Sequence, residues 1–192
     1  WENIKWRPLT HSPGLTDNDG YFYPMIWPND NFGEDKALKP ADWTPAEIEN
    51  EFRAQIELAI KKVPHISHLS CHMGCSSWDE RVTKIFDKLA KEYNLDINPS
   101  AHNVKRFEWN REGNEETKIQ NFISALNNLT AGTYMFVEHP GLDTPEMAAL
   151  GHSGYYGVAE GRSFVTKLLT NEDVKAAIKK NSIELISYKD LR

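Results

Sequence analysis

The segment 63–75, VPHISHLSCHMGC, places three histidines and two cysteines in one short stretch. Imidazoles bind metal ions, and near neutral pH they also act as acids and bases. His68, Ser70 and His72 fall on alternate positions, so a β-strand through them aims all three at one face. Gly74 and Ser76 end such a strand just after His72. Side chains at the C-terminal ends of strands are where α/β folds build their sites. The segment therefore predicts both a place and a chemistry, an imidazole ligand for a metal. On a helix, His68 and His72 at i and i+4 would form a metal pair. On a strand they lie roughly 13 Å apart at ~3.3 Å per residue. The strand reading leaves one ligand, His72, with His68 behind it as a supporting or core imidazole. Cys71 and Cys75 interleave with the histidines instead of forming one half of a paired structural zinc spacing. They read as packing thiols.

Val137-Glu138-His139-Pro140-Gly141 is the second candidate spot. His139 follows an apolar strand pattern, and the Pro-Gly turn exposes its ring, which suits a general acid or base. Ser100-Ala101-His102-Asn103 follows a shorter strand pattern and falls on the same side, with Lys105 and Arg106 nearby in what reads as a solvated loop. His11, His65 and His152 carry little weight. There is no Gly-rich phosphate loop, no serine nucleophile elbow and no Cys-His catalytic signature. A catalytic zinc takes about three protein ligands plus a water. These residues offer one convincing ligand, so either there is no metal or the other ligands precede Trp1.

The elements that position these residues alternate. Thr44-Pro45-Ala46-Glu47 is a capping box with proline at the first helical position, and Ile48, Phe52, Ile56, Ala59 and Ile60 give a helical stripe ending near Pro64. A strand is expected at 65–71. Ser77-Trp78-Asp79-Glu80 reads as a second capping box, opening a helix through Val82, Ile85, Phe86, Leu89 and Tyr93. A short strand at 95–98, a helix at 115–129 and a strand at 133–138 follow. Helical signals return at 144–150 and 161–169. Thr170 or Asn171 starts a last helix, and 183–188 is a final strand. Strands alternating with helices imply right-handed crossovers and a parallel sheet. Four strands suit a portion of a (β/α) barrel or an open doubly wound sheet.

The chain has 192 residues, enough for one domain, and a formal charge of −6 with acids and bases interspersed. Nucleic-acid partners usually meet a basic stripe, which is lacking. No apolar run reaches membrane-spanning length, and two cysteines exclude a disulfide framework. The expected compartment is an aqueous one, cytoplasmic or exported, in a bacterial-type setting. The first forty-odd residues are rich in Pro, Asn, Asp and aromatics: Trp1, Trp6, Tyr21, Phe22, Tyr23, Trp27 and Trp43. Structureless stretches of that length are usually lids or binding loops. The expected organisation is one catalytic-type domain, with 1–44 as an aromatic-rich loop or lid region and 45–192 as the alternating helix/strand portion. A segment before Trp1 is expected to complete it.

Several motifs together resemble the YdjC-like carbohydrate deacetylases, also called the ChbG/HpnK family. They are Trp1-Glu2-Asn3 with Trp6-Arg7-Pro8-Leu9, Leu15-Thr16-Asp17-Asn18-Asp19-Gly20-Tyr21-Phe22, Glu51-Phe52-Arg53-Ala54-Gln55-Ile56-Glu57, Ser67-His68-Leu69-Ser70-Cys71-His72-Met73-Gly74, Val137-Glu138-His139-Pro140-Gly141 and Ile186-Ser187-Tyr188-Lys189-Asp190-Leu191. The resemblance implies an irregular (β/α) barrel of parallel strands, of which this chain is the C-terminal two-thirds or so, its N-terminal strands lying outside the chain. It implies a divalent metal, zinc or magnesium, held by His72 together with an aspartate and a histidine from segments upstream of Trp1. It gives His139 an acid/base role. The family often has Asp-Ser before the ligand histidine, where this chain has Ser70-Cys71.

The implied reaction is hydrolysis of an acetamide on an N-acetylated amino sugar or oligosaccharide. A metal-activated water attacks the carbonyl, and His139 protonates the departing amine. His68, His102, Trp27 and Arg162 make up the candidate substrate-contacting or supporting set, and the aromatic front segment suits stacking on sugar faces. The implied partners are the sugar, the upstream segment of the same protein and, as one option, a second copy in a homodimer. The alternative reading is a carbohydrate-binding homologue whose chemistry is weakened or lost.

Overall fold

Thr44 starts the first helix. Its hydroxyl accepts the Glu47 amide at 3.2 Å, and the Glu47 carboxylate accepts the Thr44 amide at 2.9 Å. Pro45 takes the first helical position, where a missing N–H costs nothing. The result is α1, Pro45–Lys62. The other Glu47 oxygen accepts the Gly14 amide at 2.8 Å, which ties the turn Pro13–Leu15 to the helix.

Helix α2, Glu80–Glu92, is capped two residues later than its sequence suggests. Asp79 is the N-cap, and its carboxylate accepts the Arg81 amide at 2.9 Å. Ser77 is engaged in the preceding turn, where its amide donates to the Gly74 carbonyl at 3.0 Å. The residue between, Trp78, is buried.

The computed structural model describes residues 4–191. Trp1, Glu2, Asn3 and Arg192, which include part of the first resemblance motif and one front-segment aromatic, lie outside the described residues. The described residues form two units, 4–97 with 152–154 and 98–151 with 155–191.

In the first unit α1 packs on α2. Ile48 and Ile56 meet Val82, Ile85 and Leu89, with Leu15, Trp78 and Leu95 closing the cluster. Val82 and Leu89 have no exposed surface, and a fully buried aliphatic side chain of this kind contributes ~1.5–3 kcal/mol. Trp78 meets Trp43 edge to face at 4.7 Å. The front segment is built from short pieces: the turns Pro13–Leu15 and Glu34–Lys36 and isolated bridges Thr16↔Phe22, Met25↔Ala37 and Asn29↔Phe32.

In the second unit β1 (Lys105–Arg106) pairs in parallel with β2 (Tyr134–Met135), Lys105 opposite Tyr134 and Arg106 opposite Met135. Helix α3, Glu115–Asn127, brings Phe122 and Leu126 to this ladder. Phe107 meets Phe122 and Phe136 edge-on, and Phe122 and Phe136 are tilted to each other, with centroids 5.4 to 5.6 Å apart. Helices α4 (Pro145–Ala148), α5 (Val158–Thr170) and α6 (Glu172–Lys180) follow. Leu168, Val174 and Ala177 complete the core. Asn171 caps α6, accepting from the Asp173 and Val174 amides at 2.9 and 3.1 Å.

The α/β class and the parallel pairing hold. The strand pattern differs from the four expected, because β1–β2 is the sole multi-residue ladder among the described residues. Residues 65–71 run without a ladder; the Ile66 amide turns back to the Val63 carbonyl at 3.2 Å and the Leu69 amide donates to the Leu95 carbonyl at 3.1 Å. Residues 183–187 form no strand, and Leu185 is 79% exposed. An alternating or apolar run supplies a face, whereas a strand exists only through hydrogen bonds from a neighbouring chain segment. The same reason runs the other way at Lys105–Arg106. Two charged, exposed residues that read as loop become β1, because Thr133 and Met135 supply the acceptors at 2.9 Å. Among the described residues no helix is long and apolar enough to cross a membrane.

Candidate functional site

In the first unit the extended stretch stops at His72. Cys71 is still extended (φ −102°, ψ 129°), and His72–Gly74 then form a single 3₁₀ turn closed by the Cys75 amide on the His72 carbonyl at 3.0 Å. Met73 sits in the left-handed region (φ 50°, ψ 32°), followed by Gly74 at φ 70°. A left-handed non-glycine residue costs of order 1–3 kcal/mol and is over-represented at functional sites. The turn leaves the His72 imidazole exposed. His68 is half-buried, with Nδ1 3.2 Å from the Ser67 hydroxyl. Burial pushes its imidazole below the ordinary value, favouring the neutral ring.

The two thiols flanking His72 are free and half-buried. Their mutual interaction draws the Cys71 thiol down to about 7 and pushes that of Cys75 up.

A metal centre needs several convergent donors. Among the described residues no three His, Cys, Asp or Glu side chains come together in a way that would hold an ion. His72 presents one exposed imidazole, which is a ligand's chemistry but not a site. The described residues alone therefore do not fit a complete metal centre.

In the second unit His139 is exposed on the turn that follows β2. What holds that turn is α5. The Gly141 amide donates to the Arg162 carbonyl at 3.1 Å and to the Thr166 hydroxyl at 3.0 Å, and the Thr166 hydroxyl donates to the Gly141 carbonyl at 2.6 Å. A Cβ on Gly141 would stand 3.1 Å from both Arg162 Cβ and Met147 Cε, so glycine is what lets the turn lie flat on the helix. Arg162 thus supports the His139 turn through its backbone and the base of its side chain. His102 ends the 3₁₀ turn Pro99–His102, and its side chain is exposed. Back in the first unit, Trp27 is 45% exposed, and His152 lies edge-on to Phe32 at 5.5 Å.

Two residues on the turn that carries His139 or bonded to it escape a reading by residue type. Glu138, next to it in sequence, pairs with Arg111, whose guanidinium also lies over the Trp109 ring at 4.9 Å. Thr166 looks like any helical threonine until its partner is known. Only the adjacency of Glu138 to His139 could have pointed to either.

The chain is 26% identical over 199 residues to a carbohydrate deacetylase of Vibrio vulnificus, a match covering 96% of this chain and 71% of that protein. It is 27% identical over 191 residues to a carbohydrate deacetylase of Thermoanaerobacter pseudethanolicus, covering 93% of this chain and 69% of that one. Its fold is similar to a crystal structure from Enterococcus faecalis of a protein named for cellobiose-phosphate cleavage. That likeness has a TM-score of 0.61 at 20% identity, over 96% of this chain and 72% of the other. The sequence pattern of the YdjC-like protein family runs from residue 1 to residue 180, through the His72 turn, the His139 turn and the helices that carry them, and the chain belongs to that family.

Proposed function

We propose that the protein acts as a carbohydrate deacetylase on an N-acetylated amino sugar or oligosaccharide, hydrolysing the acetamide in a divalent-metal-dependent reaction. Family membership, with relatives named carbohydrate deacetylase, carries this reading. A divalent zinc or magnesium ion bound by such an enzyme supplies Lewis-acid activation of water and carbonyl. His72 would be one of its ligands, with the others from outside the described residues. His139, exposed and held on a braced turn, would exchange a proton with the amine nitrogen as the C–N bond breaks. His68 would back His72 as a neutral imidazole. Arg162 would brace the His139 turn, and His102 and Trp27 would contact sugar. The parallel β1–β2 ladder with its helices would be a portion of an irregular (β/α) barrel. Residues 1–44 would be an aromatic-rich loop region of the same catalytic domain.

Acetate release from N-acetylated amino-sugar oligosaccharides tests the reaction. His72→Ala should abolish it, and undiminished turnover would remove His72 from the ligand set. A second reading, a carbohydrate-binding homologue with weakened chemistry, is favoured by Ser70 standing where the family often has Asp and by the lack of three convergent donors among the described residues. Stoichiometric divalent metal in the purified protein, found by elemental analysis, would count against that second reading.

A further inference from the structure

We propose that Arg111 is a sugar-binding residue of the site to which His139 belongs, its guanidinium donating to hydroxyl oxygens of the ring that carries the acetamide. This rests on the reading of the protein as one that acts on an N-acetylated amino-sugar oligosaccharide. Lys105 pairs with Tyr134 and Arg106 with Met135 in parallel, so both segments leave the ladder at the same end. Continued by three residues, that register sets Trp109 across from Glu138. Arg111 comes two residues after Trp109 and His139 one residue after Glu138, on neighbouring segments that in a ladder run ~4.8 Å apart. Arg111 reaches back and forms an ion pair with Glu138, which keeps it at this end of the ladder.

Two contacts hold the guanidinium, the Glu138 carboxylate beside it and the Trp109 ring beneath it at 4.9 Å. Trp109 is itself fixed edge-on to Phe122 at 5.2 Å. Its indole N–H is buried with no hydrogen-bond partner among the described residues, so the ring serves here through its face and not through its polar atom. The ion pair is lopsided, with the Glu138 side chain 10% exposed and that of Arg111 55% exposed. Stability alone is a weak reason for such a pair, because apolar replacement of buried ions is often neutral or stabilising. What the pair accomplishes is to hold a cation, half in solvent, in one orientation next to His139. An arginine loses side-chain freedom when it binds a ligand, and Trp109 and Glu138 have already removed much of it. The planar fork can donate to two adjacent oxygens, and vicinal hydroxyls of a sugar ring present such a pair. Glu138 offsets the charge, which suits an uncharged ring over an anion.

The test titrates a trisaccharide of N-acetylglucosamine into the full chain by calorimetry, in a His139→Ala background where turnover is slowed, and follows acetate release with His139 intact. Adding Arg111→Ala should weaken binding about 10- to 100-fold, the loss of a charged hydrogen-bond donor. With His139 intact it should raise KM by a similar factor and change kcat far less. Arg111→Lys keeps the charge beside Glu138 without the fork, and should restore stability in urea but only part of the affinity. Lower stability of Arg111→Ala with affinity and KM unchanged would make Arg111 a structural partner of Glu138 and overturn the proposal. Failure of the Arg111-containing chain to bind the trisaccharide would overturn it as well. Binding is read without turnover, so the two readings fail separately. Binding that depends on Arg111 in a chain that releases no acetate would sink the deacetylase reading and support this one. Acetate release with full affinity in Arg111→Ala would do the reverse.

Discussion

Thr166 and Gly141 are joined twice. The threonine hydroxyl donates to the Gly141 carbonyl at 2.6 Å and accepts the Gly141 amide at 3.0 Å. One hydroxyl on α5 thus satisfies both polar groups of a loop peptide two residues from His139. Thr166→Val keeps the shape and removes both bonds. With each intramolecular hydrogen bond contributing ~0.5–1.5 kcal/mol, the variant should lose about 1–3 kcal/mol in urea unfolding and lower the rate of acetate release. Wild-type values of both would show that the turn holds without the threonine.

His139 itself gives a sharper expectation. General acid–base groups contribute typically 10²–10⁴-fold to rate, so His139→Ala should reduce kcat by about that much with KM little changed. An equal loss confined to KM would assign His139 to substrate binding instead.

His68 makes stability depend on pH. Its imidazole sits below the ordinary 6.5 because burial penalises the charged ring. The unfolded chain therefore takes up a proton at a higher pH than the folded one. The neutral-ring contribution is fully present above about 6.5 and is lost as pH falls from there through the lower folded value. Unfolding measured from pH 7.5 down to 5 should show a decline that flattens in His68→Gln. An unchanged slope in that variant would place the pH dependence elsewhere.

Glu51 is the buried carboxylate of the first unit, 2% exposed. It accepts the Leu9 amide at 3.1 Å, the Thr10 amide at 3.0 Å, the Thr10 hydroxyl at 2.7 Å and the Gln55 side-chain amide at 2.7 Å. Glu51→Ala strands these donors and should cost about 2–4 kcal/mol. Two-dimensional NMR should show the Leu9 and Thr10 amides shifting most, and a variant of wild-type stability would contradict this account of how the front segment is anchored.

Helix α1 was legible because its signal is local: Thr44 and Glu47 find each other within one turn whatever the rest of the chain does. Helix α6 is similar, although only the structure chose Asn171 over Thr170 as its cap. The strands were not legible in the same way. Residues 183–188 have the composition of a strand and no ladder, while Lys105–Arg106 have the composition of a loop and form one.

The candidate site divides along the same line. Residue type and order alone singled out His72 and His139, since imidazole chemistry and a following Gly or Pro-Gly turn are written in the sequence. The family pattern over residues 1–180 is likewise a property of sequence. What only the tertiary structure decided is who touches whom: Thr166 with Gly141, Arg111 with Glu138, Glu51 with Thr10. None of these pairs is close in sequence. Contacts of this kind depend on where the backbone turns, and that is set by packing and hydrogen-bond partners supplied from elsewhere in the chain.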